Sequence, residues 1–292
     1  LTPAFDTFIA IDWSGASKLS NGIAVAKCEL GKSAPRLIGP DRKSHWTRTA
    51  IAEWLDRELD SGQSLLIGFD FAFGLPFETD QGYLGGKARQ IQNIFDLWSL
   101  IEDRSDGDPD YGCAAFIDDP RYASLFWKSG PRPETWIERK RKTEFACAEA
   151  TQTYPDTVYK LLGSKQVGKA SITGIRLLHR IRSSRKKRVS FWPFEEIRSS
   201  AIVEIYPTLF RKSATGSINK VRSLSDLNSA LARFDSNPLH PRALMEFSDH
   251  ETDALISAAG LRSFAALPST WDLNDTRTPL ARREGWIFGV RT

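Results

Sequence analysis

Three apolar runs along the chain each stop at a carboxylate. Phe8-Ile-Ala-Ile precedes Asp12, Leu65-Leu-Ile-Gly-Phe precedes Asp70, and Ala201-Ile-Val precedes Glu204. Short apolar runs of this kind are the pattern of strands covered on both faces, as in the middle of an α/β sheet. The spacing predicts a buried strand over 7–12 and a second over 22–30. A short third strand follows over 35–39, behind the turn Gly31-Lys-Ser-Ala. Residues 49–59 then change period, with Ile51, Trp54, Leu55 and Leu59 on one helical face, before an apolar strand over 64–70. Two antiparallel neighbours, a crossover helix and a parallel strand make a mixed sheet with a right-handed crossover.

After Phe71-Ala-Phe-Gly-Leu-Pro76 the pattern alters. Residues 77–198 read as a long, mostly helical insertion within a single domain spanning 1–292. Helices are predicted over 87–102, 143–151 and 171–182, the last with Ile172, Ile175, Leu178 and Ile181 in a stripe, and an acidic loop over 103–110. The sheet resumes over 201–206, and helices follow over 224–234 and 249–264. The tail over 284–290 fits either a short strand or a packed extension. The sequence has no internal repeat, low-complexity tract or Gly/Ser linker.

Composition changes the picture little: 41% hydrophobic and 26% charged residues suit a folded globular chain. No uncharged apolar run approaches the roughly 20 residues of a membrane span. The first residues lead straight into Phe5-Asp6-Thr7-Phe8 without a basic-then-apolar signal pattern. Cys28, Cys113 and Cys147 are odd in number and widely spaced, which fits neither a disulfide framework nor a zinc site, so a reducing cytoplasm is the expected compartment. Charge distribution is more informative. Residues 128–192 carry 16 Lys/Arg against 5 Asp/Glu, a local balance of +11 that leaves −7 for the rest of a chain whose net charge is +4. Such a segment suits either a polyanionic partner or a solvated charged surface.

The acids at the strand ends are the candidate chemistry. Asp12 opens a Ser-Gly turn at the carboxyl edge of a sheet, where α/β proteins bind ligands, though an Asp there also caps a turn through its own backbone. Asp70 ends a parallel neighbour and should lie beside Asp12. Two bare carboxylates there repel each other, and a bound Mg²⁺ or Mn²⁺ relieves that. The helix over 249–264 opens with Asp249, His250, Glu251 and Asp253. Asp249 fits a helix N-cap, His250 a first-turn surface position or a ligand, and Asp253 the mouth of a helix packed on the sheet. Glu204 either ligates a second metal or bonds a basic residue from the insertion.

Several stretches together resemble the family known as domain of unknown function 429, described as RNase H-like nucleases. They are Ile11-Asp12-Trp-Ser-Gly15, Ile67-Gly-Phe-Asp70-Phe-Ala-Phe-Gly-Leu-Pro76, Gln166-Val-Gly-Lys-Ala-Ser-Ile-Thr-Gly174-Ile, Glu204-Ile-Tyr-Pro207, His250-Glu-Thr-Asp253-Ala and Glu284-Gly-Trp286. His250-x-x-Asp253 is also similar to the late-helix metal motif of RuvC-type resolvases, which usually carry Glu where this chain has Asp70. The resemblance implies an α/β RNase H-like mixed sheet, in the order 3-2-1-4-5, flanked by helices. It further implies Mg²⁺ or Mn²⁺ held by Asp12, Asp70, His250 and Asp253 with Glu204 supplementary, and two-metal phosphodiester hydrolysis.

Arg139-Lys-Arg-Lys142 and Arg185-Lys-Lys-Arg188, with Trp127, Trp136, Phe191 and Trp192 nearby, have the composition of a nucleic-acid groove. Between them, 163–171 is rich in small and basic residues, Lys169 among them. It fits a phosphate loop at a helix start or an ordinary loop; Ala170 breaks the Walker A spacing. The expected contacts to DNA or RNA are therefore Arg139, Lys140, Arg141, Lys142, Lys169, Arg185, Lys186, Lys187 and Arg188. Two other readings remain open: an ATP-dependent phosphotransferase of the actin/sugar-kinase type, which would need a second Gly-rich phosphate hairpin that the sequence lacks, and a non-catalytic nucleic-acid-binding protein.

Overall fold

The computed structural model describes residues 2–16, 22–40, 45–163, 167–185, 188–240, 247–274 and 277–291. Its centre is a mixed sheet. β1 (Thr7–Asp12) pairs antiparallel with β2 (Ala24–Glu29), which pairs antiparallel with β3 (Arg36–Ile38). On its other side β1 runs parallel to β4 (Leu65–Phe69), reached through α1 (Arg48–Leu59). A small antiparallel pair follows, β5 (Phe77–Glu78) with β6 (Gly82–Tyr83). Two more strands, β7 (Val189–Phe191) and β8 (Ser200–Glu204), complete the main sheet in the order β3-β2-β1-β4-β8-β7. The expected helical character of 77–198 holds in part. That segment contributes the β5–β6 pair and a strand, β7, to the edge of the main sheet, where Val189-Ser-Phe was too short for its period to stand out.

Strand alternation divides the core into two layers. Ile9, Ile11, Ile67, Phe69 and Ile202 face a cluster filled by α1, α2 (Ile94–Arg104), the short α3 (Ala114–Asp118) and α5 (Val167–Arg185). Phe8, Ala10, Leu66, Ala201 and Val203 face the other, filled by α6 (Pro207–Thr215), α7 (Leu224–Ala232) and α8 (Asp249–Ala265). The helix predicted over 87–102 starts only at Ile94, because the Asn93 side chain caps it by accepting from the Asp96 N–H at 2.9 Å. α6, which the sequence pattern did not single out, begins at a proline and ends at Gly216 in a left-handed conformation.

α8 packs closely against the sheet and α6. Ala254, Ala258, Ala259 and Gly260 give it a low-relief surface, and Cys28 Sγ donates to the Ala258 carbonyl at 3.4 Å. A methyl at Gly260 would sit 2.4 Å from the Phe210 ring, so glycine is what lets α8 and α6 approach. Toward its C-terminal end, Arg262 donates to the Glu29 carbonyl at 2.9 Å, and Glu29 pairs with Thr7 at the start of β1. α8 therefore runs antiparallel to β1 and brings its first turn to the end of that strand. The tail resolves as a packed extension after the short α9 (Pro268–Trp271) and α10 (Thr278–Glu284), with the Phe288 N–H donating to the Glu204 carbonyl at 2.8 Å.

Candidate active site

Register brings the first two acids together. Ile11 pairs with Phe69, and the Asp70 N–H donates to the Ile11 carbonyl at 3.0 Å, so Asp12 and Asp70 follow side by side. Ile11 and Phe69 face the α1/α5 layer. Their successors therefore face the α8 layer. The chain beyond Asp12 is fixed from the opposite side. Trp13 Nε1 donates to Thr173 Oγ1 at 3.1 Å, and the buried Arg48 donates to the carbonyls of Ser14 at 3.1 Å and Ala16 at 2.5 Å. Gly15 is obligatory, since a methyl there would lie 2.2 Å from the backbone N of Ala170.

The first turn of α8 supplies the third side. Ser248 is the N-cap and Glu251 closes the capping box, so the expected cap role of Asp249 passes to its neighbour; Asp249 instead meets Arg222 at 3.4 Å. His250 Nδ1 lies 2.9 Å from Asp12 Oδ1 and leaves half of its side chain exposed. One turn on, Asp253 is buried, with Oδ1 accepting from Arg211 Nη1 and Oδ2 from Lys220 Nζ at 2.5 Å. Arg211 and Lys220 are the site residues that sequence reasoning missed. Arg211 lies on the unanticipated α6, and Lys220 follows it in a loop without a motif.

Electrostatics single out Asp70. Burial pushes its carboxyl well above the usual range, and the neighbouring Asp12 and Asp253 push further. Among the described residues its side chain makes no hydrogen bond. Burial also raises the Asp12 carboxyl, against the opposing hydrogen bond and charge of His250. The same hydrogen bond raises the His250 imidazole above its ordinary value, against its partial burial.

Glu204 does not join this cluster. It pairs with Phe69 and so points to the opposite face, where the buried Arg141 grips both its oxygens at 2.5 and 2.8 Å. The Phe73 N–H adds a third bond at 3.0 Å. Of the two roles open for Glu204, the structure displays the bond to a basic residue of the insertion. Arg141 also binds Glu144 in α4 (Lys142–Thr151) and the Glu284 carbonyl, and is 1% exposed, so it cannot be the phosphate contact expected of it.

Other members of the basic segment are engaged as well. Arg139 meets Glu78, Lys140 meets Glu138, and Arg185 and Arg188 both meet Asp60. Arg176 binds Glu102 and Arg180 binds Asp56. Much of the local excess of +11 is thus complementary to acids elsewhere in the chain and holds α5 against α1 and α2. Lys142 lines a groove of about 400 Å³ with Phe145 and Trp286, and Lys169 is half-buried at the start of α5. Lys186, Lys187 and Gln166 lie outside the described residues.

Among the described residues, no three of His, Cys, Asp and Glu form a ready ligand set for a metal. The donors that fit a cation are narrower than expected. Asp12 and Asp70 are adjacent, and among the described residues Asp70 lacks a side-chain partner, whereas Asp253 and Glu204 already have cationic ones. Mg²⁺ commonly takes one or two carboxylates and keeps several waters, so this pair suffices chemically. No helix among the described residues is long and apolar enough to cross a membrane. No family model, curated protein or solved structure matches the chain.

Proposed function

We propose that the protein is a divalent-metal-dependent nuclease of the RNase H-like kind, hydrolysing phosphodiester bonds of nucleic acid at the carboxyl edge of β1 and β4. The observation that carries this reading is the in-register pair Asp12 and Asp70, with the half-buried Asp70 side chain making no hydrogen bond among the described residues. The strand order β3-β2-β1-β4-β8 and the resemblance to the domain of unknown function 429 support it. Asp12 and Asp70 would hold Mg²⁺ or Mn²⁺, which when bound polarises a phosphate oxygen and acidifies a water.

The remaining chemistry belongs to the chain. Asp12 orients His250 through Nδ1 and favours its protonated form, while Nε2 has no partner among the described residues. That nitrogen can give a proton to the departing oxygen as water adds to phosphorus and the phosphorus–oxygen ester bond breaks. Hydrolysis then yields a phosphate monoester and an alcohol. The decisive assay incubates the chain with single- and double-stranded DNA and RNA in Mg²⁺, Mn²⁺ or chelator. Metal-dependent cleavage lost in Asp12→Asn is expected; a folded chain that cleaves none of the four substrates with either ion refutes the reading.

A further inference from the structure

Lys220 has no assigned role in that chemistry, yet it stands at the acidic site. Its ammonium meets Asp253 Oδ2 at 2.5 Å, and among the described residues its other protons find no acceptor. The side chain is 37% exposed, in contrast to Arg211, which is buried and also bonds Thr208 Oγ1 and the Ile218 carbonyl. Lys220 is near enough to Asp12 and Asp70 for its charge to act on both carboxyls. Asp253, with each oxygen bound to a cation, would have to break a buried ion pair to ligate a metal.

We infer that the site takes a single divalent cation, at Asp12 and Asp70, and that Lys220, positioned by Asp253, supplies the second positive charge to the phosphodiester. This rests on the nuclease reading and specifies how that site neutralises its substrate. A phosphate approaching two carboxylates needs more positive charge than one hydrated cation brings. An exposed ammonium anchored on a buried acid provides it without requiring a second set of ligands. Asp253 is thereby a positioning residue rather than a ligand.

Calorimetric titration of the full chain with MnCl₂, without nucleic acid, tests the stoichiometry. One Mn²⁺ per chain is expected, retained in Asp253→Asn. Lys220→Ala should bind Mn²⁺ several-fold more tightly, because a cation near the carboxylates is gone. The same variant should bind a phosphorothioate thymidine 12-mer more weakly, with a salt slope flattened by roughly 0.7 for the lost contact. Lys220→Gln should repeat both effects and Lys220→Arg should restore oligonucleotide binding. Arg211 still neutralises Asp253 in all three, and circular dichroism checks their folding. Two Mn²⁺ per chain, one lost in Asp253→Asn, would overturn this inference and leave the nuclease reading standing. Unchanged Mn²⁺ and oligonucleotide affinities in a folded Lys220→Ala would reduce Lys220 to a structural partner. Absence of any Mn²⁺ binding would remove the nuclease reading, and this inference with it.

Discussion

Asp12 and His250 are 238 residues apart in sequence, and their side chains meet at 2.9 Å where β1 ends and α8 begins. The contact depends on two independent features: the in-register end of a buried strand, and a helix of small residues that runs back along it. Each partner alters the other's titration: the hydrogen bond to Asp12 raises the imidazole above its ordinary value, and His250 offsets part of the rise that burial imposes on the Asp12 carboxyl. His250→Ala should therefore lower kcat by about a hundred- to ten-thousand-fold, the usual worth of a general acid. KM and the melting temperature should change little, since the ring is half exposed. Activity on a substrate with a better leaving group should recover in His250→Ala; equal losses on both substrates would assign the ring a different role.

Asp70 gives a prediction whose sign follows from linkage. A carboxyl with its folded pKa raised holds its proton more tightly when folded. Its favourable contribution is complete below the unfolded value and is lost as pH rises through the raised one. In chelator, Asp70→Asn should accordingly be more stable than wild type at neutral pH, and the difference should shrink toward pH 4. Mn²⁺ should raise the melting temperature of wild type with the logarithm of its concentration and leave Asp70→Asn nearly unmoved. Thermal melts across pH, with and without Mn²⁺, measure both effects. A variant less stable than wild type in chelator at every pH would contradict the crowding of this carboxylate.

The sheet and the Asp12–Asp70 pair were legible in sequence because buried strands announce themselves by unbroken apolarity and a parallel register follows from a short crossover. The period-2 rule could also have placed Glu204 on the other face, given the apolar run Ala201-Ile-Val, but that required knowing the register of β8 against β4. Arg141 and Lys220 were not legible. A basic run reads the same whether its members face solvent or a buried acid contributed from 63 positions away, and the pairing Arg141–Glu204 depends on tertiary docking alone. The charge asymmetry was correctly seen, but much of its complement lies within the chain.

That docking makes Arg141 a structural residue. Replacing it with Met leaves Glu204 and Glu144 buried and uncompensated, and removing one partner of such a network costs about 3–5 kcal/mol. Arg141→Met should unfold at markedly lower denaturant concentration. A nearly unchanged midpoint would mean that the guanidinium is not enclosed as described.

Arg185 and Arg188 should behave differently. Both are partly exposed and share the exposed Asp60, so solvent screening leaves each pair contributing little to stability. If these cations chiefly pin α5 to α1, Arg185→Gln with Arg188→Gln should lower stability slightly and leave the salt dependence of oligonucleotide binding as it was. A salt slope flattened by roughly 0.7 per replaced residue would instead restore them to the nucleic-acid interface.

Glu144 supplies the last prediction, away from the acidic site. It is enclosed with Arg141 and Glu204, and one guanidinium is divided between two carboxylates. Burial pushes its carboxyl from an ordinary 4.5 up to about 7, against the hydrogen bonds and charge of Arg141. By the linkage that governs Asp70, its contribution is complete below about pH 4.5 and declines as pH rises toward 7, by roughly 3 kcal/mol over that span. Glu144→Gln keeps the shape and removes the titration. It should flatten the stability profile between those limits while leaving the portion due to Asp12 and Asp70 intact. Urea midpoints of wild type and variant at half-unit steps of pH make the comparison. Parallel profiles would show that Glu144 stays ionised beside Arg141 throughout, and would place the pH dependence of this fold elsewhere.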